Sequence, residues 1–257
     1  MPDFPLPVTL PPGWRLDARD SVGSTNDEAR ALAAAGAPHG TIVSARRQDA
    51  ARGRRGRAWS APEGNLYCSA ILRPQVPFSR AGELTFVVGI AVADAVAGFG
   101  LEPKLKWPND VQIAGDKLAG ILLEAAVAPD RPPHAREVDW IVAGIGVNVA
   151  RHPELADYNA TSLHAAGARE AAVEAVLERL VAALDRRLAE WRADGFDATR
   201  AAWLGRAVGL GARIKVRLET ETLEGVFEHI DPSGALILRT DTGRHSITAG
   251  DVFFGRG

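Results

Sequence analysis

The chain has 257 residues, of which 46% are hydrophobic and 24% charged, and its formal net charge is -2. This composition allows one large domain plus a small one, and it excludes collagen, intrinsic disorder and a disulfide scaffold. With one cysteine, Cys68, no signal-peptide pattern in residues 1–13 and no apolar run long enough to span a bilayer, we expect a cytoplasmic protein without membrane contact.

The basic residues are distributed unevenly. Of the 30, four are lysines, and six arginines fall between Arg46 and Arg57. The lysines are Lys104, Lys106, Lys117 and Lys215. A near-neutral chain with one dense cationic segment is typical of a protein with one anionic ligand, because a general polyanion binder spreads its charge widely.

Hydrophobic periodicity predicts alternating strands and helices over the first two hundred residues. Strands are predicted at 14–20, 41–47, 65–73, 104–107, 110–114, 118–127 and 138–149, and helices at 24–35, 83–99, 168–191 and 197–204. Thr25 and Glu28 fit a capping box for the first helix, and Gly115-Asp116 fits a hairpin turn. The proline-containing segment 128–136 is predicted to be an exposed connection.

After Gly205 the pattern changes to short strands separated by turns, at 212–218, 223–230, 235–239 and 244–248. About fifty residues of this kind suit a small closed β-barrel. We therefore expect two domains, residues 1–206 and residues 207–257.

The segment 48–64 is rich in Gly, Arg and Ala without periodicity, which predicts a functional loop. Glycines let a backbone approach an anion, and arginines bind carboxylate or phosphate bidentately. A solvated basic loop and a nucleic-acid contact explain the same residues equally well. Trp59 either stacks on a purine or anchors the loop, and tryptophan is more often a packing residue.

Two lysine-containing segments flank the predicted hairpin. For Lys106-Trp107-Pro108-Asn109-Asp110, a β-turn with side-chain hydrogen bonds is the simpler interpretation. Lys117 opens a very apolar strand and is either a snorkelling lysine or an ammonium directed at a site. The arginine bias favours the site, because a compact ammonium can lie between two anionic oxygens where a guanidinium cannot.

Residues 144–149 contain Gly-x-Gly without a third glycine or a following helix, so a dinucleotide-binding motif is not indicated. The sequence has no Walker motif either, so any nucleotide is held without a P-loop. Asn148 alternates with valines and is either a paired core amide or an amide that reads adenine.

Together these segments resemble the biotin–protein ligases. Ser24-Thr25-Asn26 and the segments 52–59, 106–111, 117–124 and 144–149 follow the family's order, and the C-terminal barrel agrees with its architecture. The resemblance implies an α+β fold, with a mixed β-sheet and helices packed on it as in class II synthetases, followed by a small Src-homology-3-like β-barrel.

The resemblance implies a biotin–[acetyl-CoA-carboxylase] ligase. Biotin carboxylate would attack the α-phosphorus of ATP, with Mg²⁺ as the activating ion, to give biotinyl-5′-AMP and pyrophosphate. A lysine of a biotin carboxyl carrier protein would then take the biotinyl group. No metal ligand of the chain itself is predicted.

The family's motifs also imply roles for individual residues. Lys117, Arg54 and Asp110 would be catalytic, with Lys117 bridging the biotin carboxylate and the α-phosphate. The biotin-binding residues would be Ser24, Thr25, Asn26, Gln48, Arg52, Gly53, Arg54, Lys117 and Gly120. The nucleotide-binding residues would be Arg54, Arg57, Trp59, Asn109, Lys117 and Asn148.

The chain departs from the family in two places. Ala51 stands where the family's loop commonly has glycine, so the backbone there is less free. About twenty residues precede Ser24, too few for the helix-turn-helix domain of the bifunctional members, so we expect a ligase without DNA binding. A homodimer through a free strand edge is possible.

Two alternatives remain at this point. A lipoate ligase or octanoyltransferase resembles the same fold, although the loop 52–57 and the segment 106–111 favour biotin. A nucleic-acid-binding module would use the arginines instead, and its affinity would fall steeply with salt without any need for biotin.

Overall fold

A mixed seven-stranded sheet forms the larger part of the computed structural model, which describes residues 7–57, 59–128, 137–154 and 159–254. Its strands are β1 (Arg15–Val22), β2 (Thr41–Gln48), β3 (Leu66–Leu72), β4 (Lys104–Lys106), β5 (Asp110–Ile113), β6 (Asp116–Val127) and β7 (Val138–Val147). Across the sheet they run β1-β2-β3-β7-β6-β5-β4. β1 and β2 are parallel and the other neighbours are antiparallel, which confirms the predicted mixed sheet.

Three helices cover the two faces of this sheet: α1 (Thr25–Ala34), α2 (Glu83–Ala97) and α3 (Val173–Leu204). Side chains alternate between the faces along each strand. Ile42 therefore joins the main core with α2 and α3, whereas the next residue, Val43, packs under α1 against Ala29 and Ala33. Among the described helices, α1 is the one that covers this face, and the sheet surface beyond its N-terminus is left for a site.

α2 is apolar nearly all round because it is buried between the sheet and α3. Its Asp94 carboxylate accepts hydrogen bonds from Arg187 of α3 and from Arg206, just after α3, each at 2.7 Å, which hold α2 to α3 and to the segment that follows it. α3 is interrupted at Gly195, where φ is 77°, so two helical segments follow each other as predicted. Within the described ranges, no helix is long and apolar enough to cross a membrane.

The C-terminal residues form a separate antiparallel sheet, the small β-barrel expected from the sequence. Its strands are β8 (Arg213–Arg217), β9 (Thr222–Ile230), β10 (Leu236–Thr240), β11 (Gly243–Ile247) and β12 (Asp251–Phe254), in the order β11-β10-β9-β8-β12. We call it the C-terminal barrel. No ladder joins β11 to β12 among the described residues, so these two strands are the ends of the strand order. β12 itself was not predicted.

Two local predictions need correction, and a third is not tested. The β5–β6 turn consists of Ala114 and Gly115, both with positive φ (50° and 91°), one residue earlier than expected. The long loop after β2 is not structureless, because Arg54–Gly56 forms a short 3₁₀ turn. The predicted connection 128–136 lies outside the described residues, apart from Ala128.

Candidate active site

A cleft opens on the sheet face that carries α1. Strand register places Lys106 of β4, Asp110 of β5, Gly120 of β6 and Gly146 of β7 in one row across four strands. The N-terminus of α1, the loop 49–64 and β12 form the remaining walls. We call these loop residues the arginine loop. The cleft therefore collects side chains from both ends of the chain.

Three glycines form the floor of the cleft. A Cβ atom at Gly144 would overlap the carboxamide of Asn26, and a Cβ at Gly120 or Gly146 would lie 3.0 Å from the Trp59 ring. Glycine at these positions makes room for the side chains above them. The packing of the Trp59 ring on Gly120 and Gly146 anchors the arginine loop to the sheet, which is one of the two roles predicted for Trp59.

The N-terminus of α1 brings three polar side chains into the cleft: Ser24, Thr25 and Asn26 are each at most 4% exposed. The Thr25 N–H and hydroxyl both donate to Gln48 Oε1, at 2.8 and 3.1 Å. The Ser69 hydroxyl lies 2.8 Å from Thr25 Oγ1 and 2.7 Å from Asn26 Oδ1. These bonds hold the helix start in a fixed position over β2 and β3.

The predicted capping box of Thr25 and Glu28 is wrong. Ser24 is the N-cap residue, with extended backbone angles, and its side chain makes no capping hydrogen bond. The Gln48 side chain instead accepts a bond from the Thr25 N–H, the first N–H of the helix. Among the described residues the Ser24 hydroxyl makes no hydrogen bond, so a buried hydroxyl in the cleft wall is left to a ligand.

Glu124 and Ser69 fix the orientation of the Asn26 amide. Asn26 Nδ2 donates to Glu124 Oε2 at 2.7 Å, while the Ser69 hydroxyl donates to its oxygen. Sequence reasoning did not assign a role to either residue. The available signals were a serine inside the fully buried strand β3 and a glutamate within the long strand β6.

The arginine loop is held at both ends by carboxylates. Arg52 donates to Asp27 of α1 at 2.6 Å. At the other end, Arg57 donates to Asp251 of β12, and Arg55 lies 3.7 Å from the same carboxylate oxygen. Ala51 does not have a positive φ, so its backbone conformation does not require glycine. In the described part of the loop up to Glu63, positive φ angles occur at Arg55 and Gly56.

Arg54 differs from its neighbours because no carboxylate is hydrogen-bonded to it among the described residues. Its Nη1 makes two long contacts, 3.4 Å to Asn109 Oδ1 and 3.5 Å to the Gly250 carbonyl. Burial lowers the pKa of the Arg54 guanidinium, although an arginine stays charged at neutral pH. A desolvated cation without a bonded anion is a binding position for an anionic ligand.

Lys117 and Asp110 form an ion pair in the cleft, with Nζ 2.6 Å from Oδ1. The Lys117 ammonium also lies 5.3 Å from the centre of the Trp59 ring. Strict alternation from Gly120 would direct Lys117 to the opposite face of β6. The register shift between Val111 and Gln112 inserts one extra residue on β6 and turns Lys117 into the cleft.

The C-terminal barrel supplies part of the cleft wall through Asp251, Val252 and Phe253. Lys106 of β4 lies over the rings of Phe253 and Phe254, 5.8 and 5.6 Å from their centres. Burial lowers the pKa of Lys106, and the charge of Asp110 opposes that shift. Sequence reasoning missed this wall because β12 is short and its contacts are distant in sequence.

Three amide side chains have different relations to the cleft. Asn109 lines it, with Nδ2 donating to the Ile121 carbonyl at 2.7 Å. Asn148 does not line it: its Nδ2 donates to the Thr161 carbonyl at 2.9 Å, and its buried oxygen has no partner among the described residues. Gln112, not predicted, lines the cleft and has a buried, unpaired Oε1.

Positive charge dominates the described lining of the cleft. Its cationic residues are Arg52, Arg54, Arg57, Lys106 and Lys117, and its carboxylates are Asp110 and Asp251. Such a cleft attracts anions and stabilises negative charge that develops during a reaction. Among the described residues, no cluster of three or more His, Cys, Asp or Glu side chains could hold a metal ion.

Comparison with known proteins gives a consistent result. The sequence profile of the Biotin/lipoate A/B protein ligase family matches residues 56–205, and that of the Biotin protein ligase C terminal domain matches residues 209–255. A biotin–[acetyl-CoA-carboxylase] ligase of Paracoccus denitrificans is 41% identical, covering 90% of this chain and 97% of that protein. One of Mycobacterium tuberculosis is 36% identical, covering 93% and 89%.

A solved structure agrees with these relatives. The biotin protein ligase of Aquifex aeolicus, in complex with biotin and ATP, superimposes with a TM-score of 0.78 at 26% identity, covering 95% of this chain and 99% of that one. The similarity extends through both sheets.

Proposed function

The chain belongs to the biotin/lipoate A/B protein ligase family, and on this premise we propose that its cleft activates biotin with ATP and transfers it to a carrier lysine. Its activity is that of a biotin–protein ligase, which forms an amide bond. The observation that carries the assignment of the cleft is the half-buried Arg54, which has no bonded carboxylate in the described part of the chain and lies near the Lys117–Asp110 pair.

The reaction has two steps. A biotin carboxylate oxygen attacks the α-phosphorus of ATP, the bond to the β-phosphate oxygen breaks, and pyrophosphate leaves with its electron pair. The neutral amine of the carrier lysine then attacks the acyl carbon of biotinyl-5′-AMP, loses a proton, and displaces AMP. The first step brings anionic oxygens together, and the second develops negative charge on the acyl oxygen and on the AMP that leaves, so concentrated cations lower both barriers.

The neutral, ureido end of biotin would bind at the start of α1. Ser24, Thr25, Asn26 and Gln48 present hydroxyl and amide groups there, and the Ser24 hydroxyl is not used by the fold. Neutral donors and acceptors of this kind suit a urea, because a charged ligand would leave them poorly matched. Gly120 in the floor gives the ligand room close to the backbone.

The reacting groups would meet near Lys117, Arg54 and Asp110. Lys117 would lie between the carboxylate and the α-phosphate, and Asp110 would hold the ammonium in position at 2.6 Å. Arg54 would take up charge on the phosphate. The backbone of Arg52 and Gly53 would close over the bound ligand and keep water from the mixed anhydride.

The nucleotide would extend toward Arg57, Trp59 and Asn109. Arg57 is half exposed and lines the cleft, so guanidinium nitrogens other than the one that donates to Asp251 would reach the phosphates, and Asn109 lies beside Arg54. The proposed role of Asn148 in reading adenine requires its buried, unpaired oxygen to become accessible, since Asn148 lies outside the cleft wall.

Magnesium is part of the proposal as an ion carried by ATP. Mg²⁺ keeps several waters and binds through one or two carboxylates plus substrate phosphates, so the Asp110 carboxylate of the cleft is sufficient. Asp110 is the residue that would contact the ion, which would neutralise charge on the pyrophosphate that leaves.

Further expectations are retained as proposals. The two sheets and the two matched profiles support a division between a catalytic domain, 1–206, and a small barrel, 207–257. The acceptor is a biotin carboxyl carrier protein. The single cysteine, Cys68, is buried, which supports a reducing, cytoplasmic setting. β1 and β4 are the outer strands of the large sheet, and either could support a homodimer.

The test is isotope exchange between pyrophosphate and ATP, with biotin, lipoate and octanoate supplied in separate reactions. Exchange with biotin alone, followed by a mass increase of one biotinyl group on a carrier domain, is the expected result. Exchange with lipoate or octanoate but not with biotin would refute the assignment and favour an acyl ligase of the same fold.

A further inference from the structure

β12 of the C-terminal barrel places one carboxylate against the arginine loop, across a separation of 194 positions in the sequence. Oδ2 of Asp251 accepts a hydrogen bond from Arg57 and lies 3.7 Å from Nη1 of Arg55. Arg217 of β8 lies 3.5 Å from the same oxygen. A carboxylate of the barrel is thus shared between two arginines of the loop and one of the barrel.

We propose that Asp251 is a positioning residue that holds the arginine loop closed over the cleft, so that the C-terminal barrel controls how well the acyl-adenylate is shielded from water. The inference rests on the proposed function, because shielding matters only if the adenylate forms in this cleft. Asp251 acts through the loop and needs no contact with the reacting atoms.

The loop needs an external support because its own bonds are few among the described residues. Within it, the Gly53 N–H donates to the Arg57 carbonyl at 2.7 Å, the Arg57 N–H to the Arg54 carbonyl at 3.3 Å, and the Trp59 N–H to the Ala51 carbonyl at 3.0 Å. Between these bonds Arg55 has a left-handed backbone, with φ of 56° and ψ of 30°, which is unfavourable for a residue with a Cβ atom. The ion pairs with Asp251 stabilise this conformation from outside.

The strength of this contact suits a reversible closure. The side chain of Asp251 is 18% exposed, whereas Arg55 and Arg57 are 31% and 52% exposed. Burial raises the pKa of Asp251, but the Arg57 hydrogen bond and the charges of Arg57, Arg55 and Arg217 outweigh it and lower the pKa, so the carboxylate is ionised at neutral pH. Partly solvated ion pairs are weak individually, which lets the loop open for substrates and products.

Limited trypsin digestion of the full-length, ligand-free protein tests the closure directly, because the loop offers four arginines to the protease. The Asp251→Asn variant should be nicked in the loop about three- to tenfold faster than wild type, since local opening governs cleavage there. Asp251→Glu should restore most of the protection. Raising the salt concentration should speed nicking of the wild type and have little effect on Asp251→Asn.

A matched control and a second variant separate closure from general stability. Glu224→Gln removes another carboxylate–cation pair of the barrel, with Lys215 at 2.6 Å, and should leave the loop protected. Arg55→Gln removes one contact from the loop side and should also speed nicking at the three remaining arginines of the loop, Arg52, Arg54 and Arg57. Equal nicking of Asp251→Asn and wild type would overturn the proposal, as would equal acceleration by Glu224→Gln.

The functional half of the proposal is measured with biotin and ATP in the absence of a carrier. Asp251→Asn should release AMP by hydrolysis of the adenylate about three- to tenfold faster, with the KM for biotin unchanged, because the start of α1 is untouched. An adenylate retained as long as in wild type would overturn it. If wild type shows no biotin-dependent exchange, the proposed function fails, while the trypsin result still decides the role of Asp251.

Discussion

Replacing Lys117 by arginine keeps the positive charge and changes only its shape, so it tests whether the cleft needs a compact ammonium. In the structure the ammonium is confined from two sides. Nζ lies 2.6 Å from Asp110 Oδ1 and 5.3 Å from the centre of the Trp59 ring, and the side chain is 14% exposed. A guanidinium is broader and planar, so it cannot keep both contacts with its charge at the same point.

The size of the effect follows from this geometry. We expect the charge to move by about 1 Å, and a displacement of that size in a reacting group can reduce the rate about 100-fold. A 100-fold loss corresponds to about 2.7 kcal/mol of transition-state stabilisation. The free energy of unfolding should change little, because the substitution leaves charge and hydrogen-bonding capacity beside Asp110.

The assay is biotin-dependent pyrophosphate exchange, with kcat separated from the KM values for biotin and ATP. Lys117→Arg should lower kcat by about two orders of magnitude. Lys215→Arg is the matched control, because Lys215 also pairs with a carboxylate at 2.6 Å but lies on the barrel and is 56% exposed. Exchange by Lys117→Arg within about threefold of wild type would refute the argument that geometry as well as charge is required.

Three further substitutions test other parts of the structure. Ser24→Ala should leave the free energy of unfolding in urea within about 0.5 kcal/mol of wild type, because no cap bond is lost. It should raise the KM for biotin about three- to tenfold. A large loss of stability instead would show that the hydroxyl serves the helix. Gly146→Ala should displace Trp59, lower the free energy of unfolding by about 1–3 kcal/mol and raise the KM for ATP. The control is Gly82→Ala, whose added Cβ meets open space and should change neither quantity. An unchanged KM for ATP in Gly146→Ala would contradict the packing argument. Burial raises the pKa of Asp94, but its arginine partners lower it overall, so Asp94 stabilises the fold above about pH 4 and this contribution is lost as the pH falls further. Asp94→Asn should therefore make the free energy of unfolding fall less steeply below about pH 4. The same dependence of the unfolding free energy on pH in Asp94→Asn and wild type would contradict this.

Features that depend on nearby residues could be read from the sequence. The apolar, β-branched runs of β2 and β3, the spacing within α3 and the turn residues of the barrel are local patterns, because burial of a strand or of one helix face dictates them. The ordered motifs around Ser24, Arg54 and Lys117 were sufficient to indicate the family, and the comparisons confirm it. A dense group of arginines in a near-neutral chain was sufficient to suggest an anionic ligand.

The tertiary structure decided which of those residues meet and how they are oriented. The extra residue on β6 that turns Lys117 into the cleft arises from pairing with β5, and alternation within β6 alone predicts the opposite face. Ser69 and Glu124 orient Asn26 from strands 43 and 98 positions away. Asp251 joins the arginine loop only because the barrel lies beside it. Contacts of this kind depend on chain closure over long separations, and the amino-acid sequence carries no local pattern that specifies them.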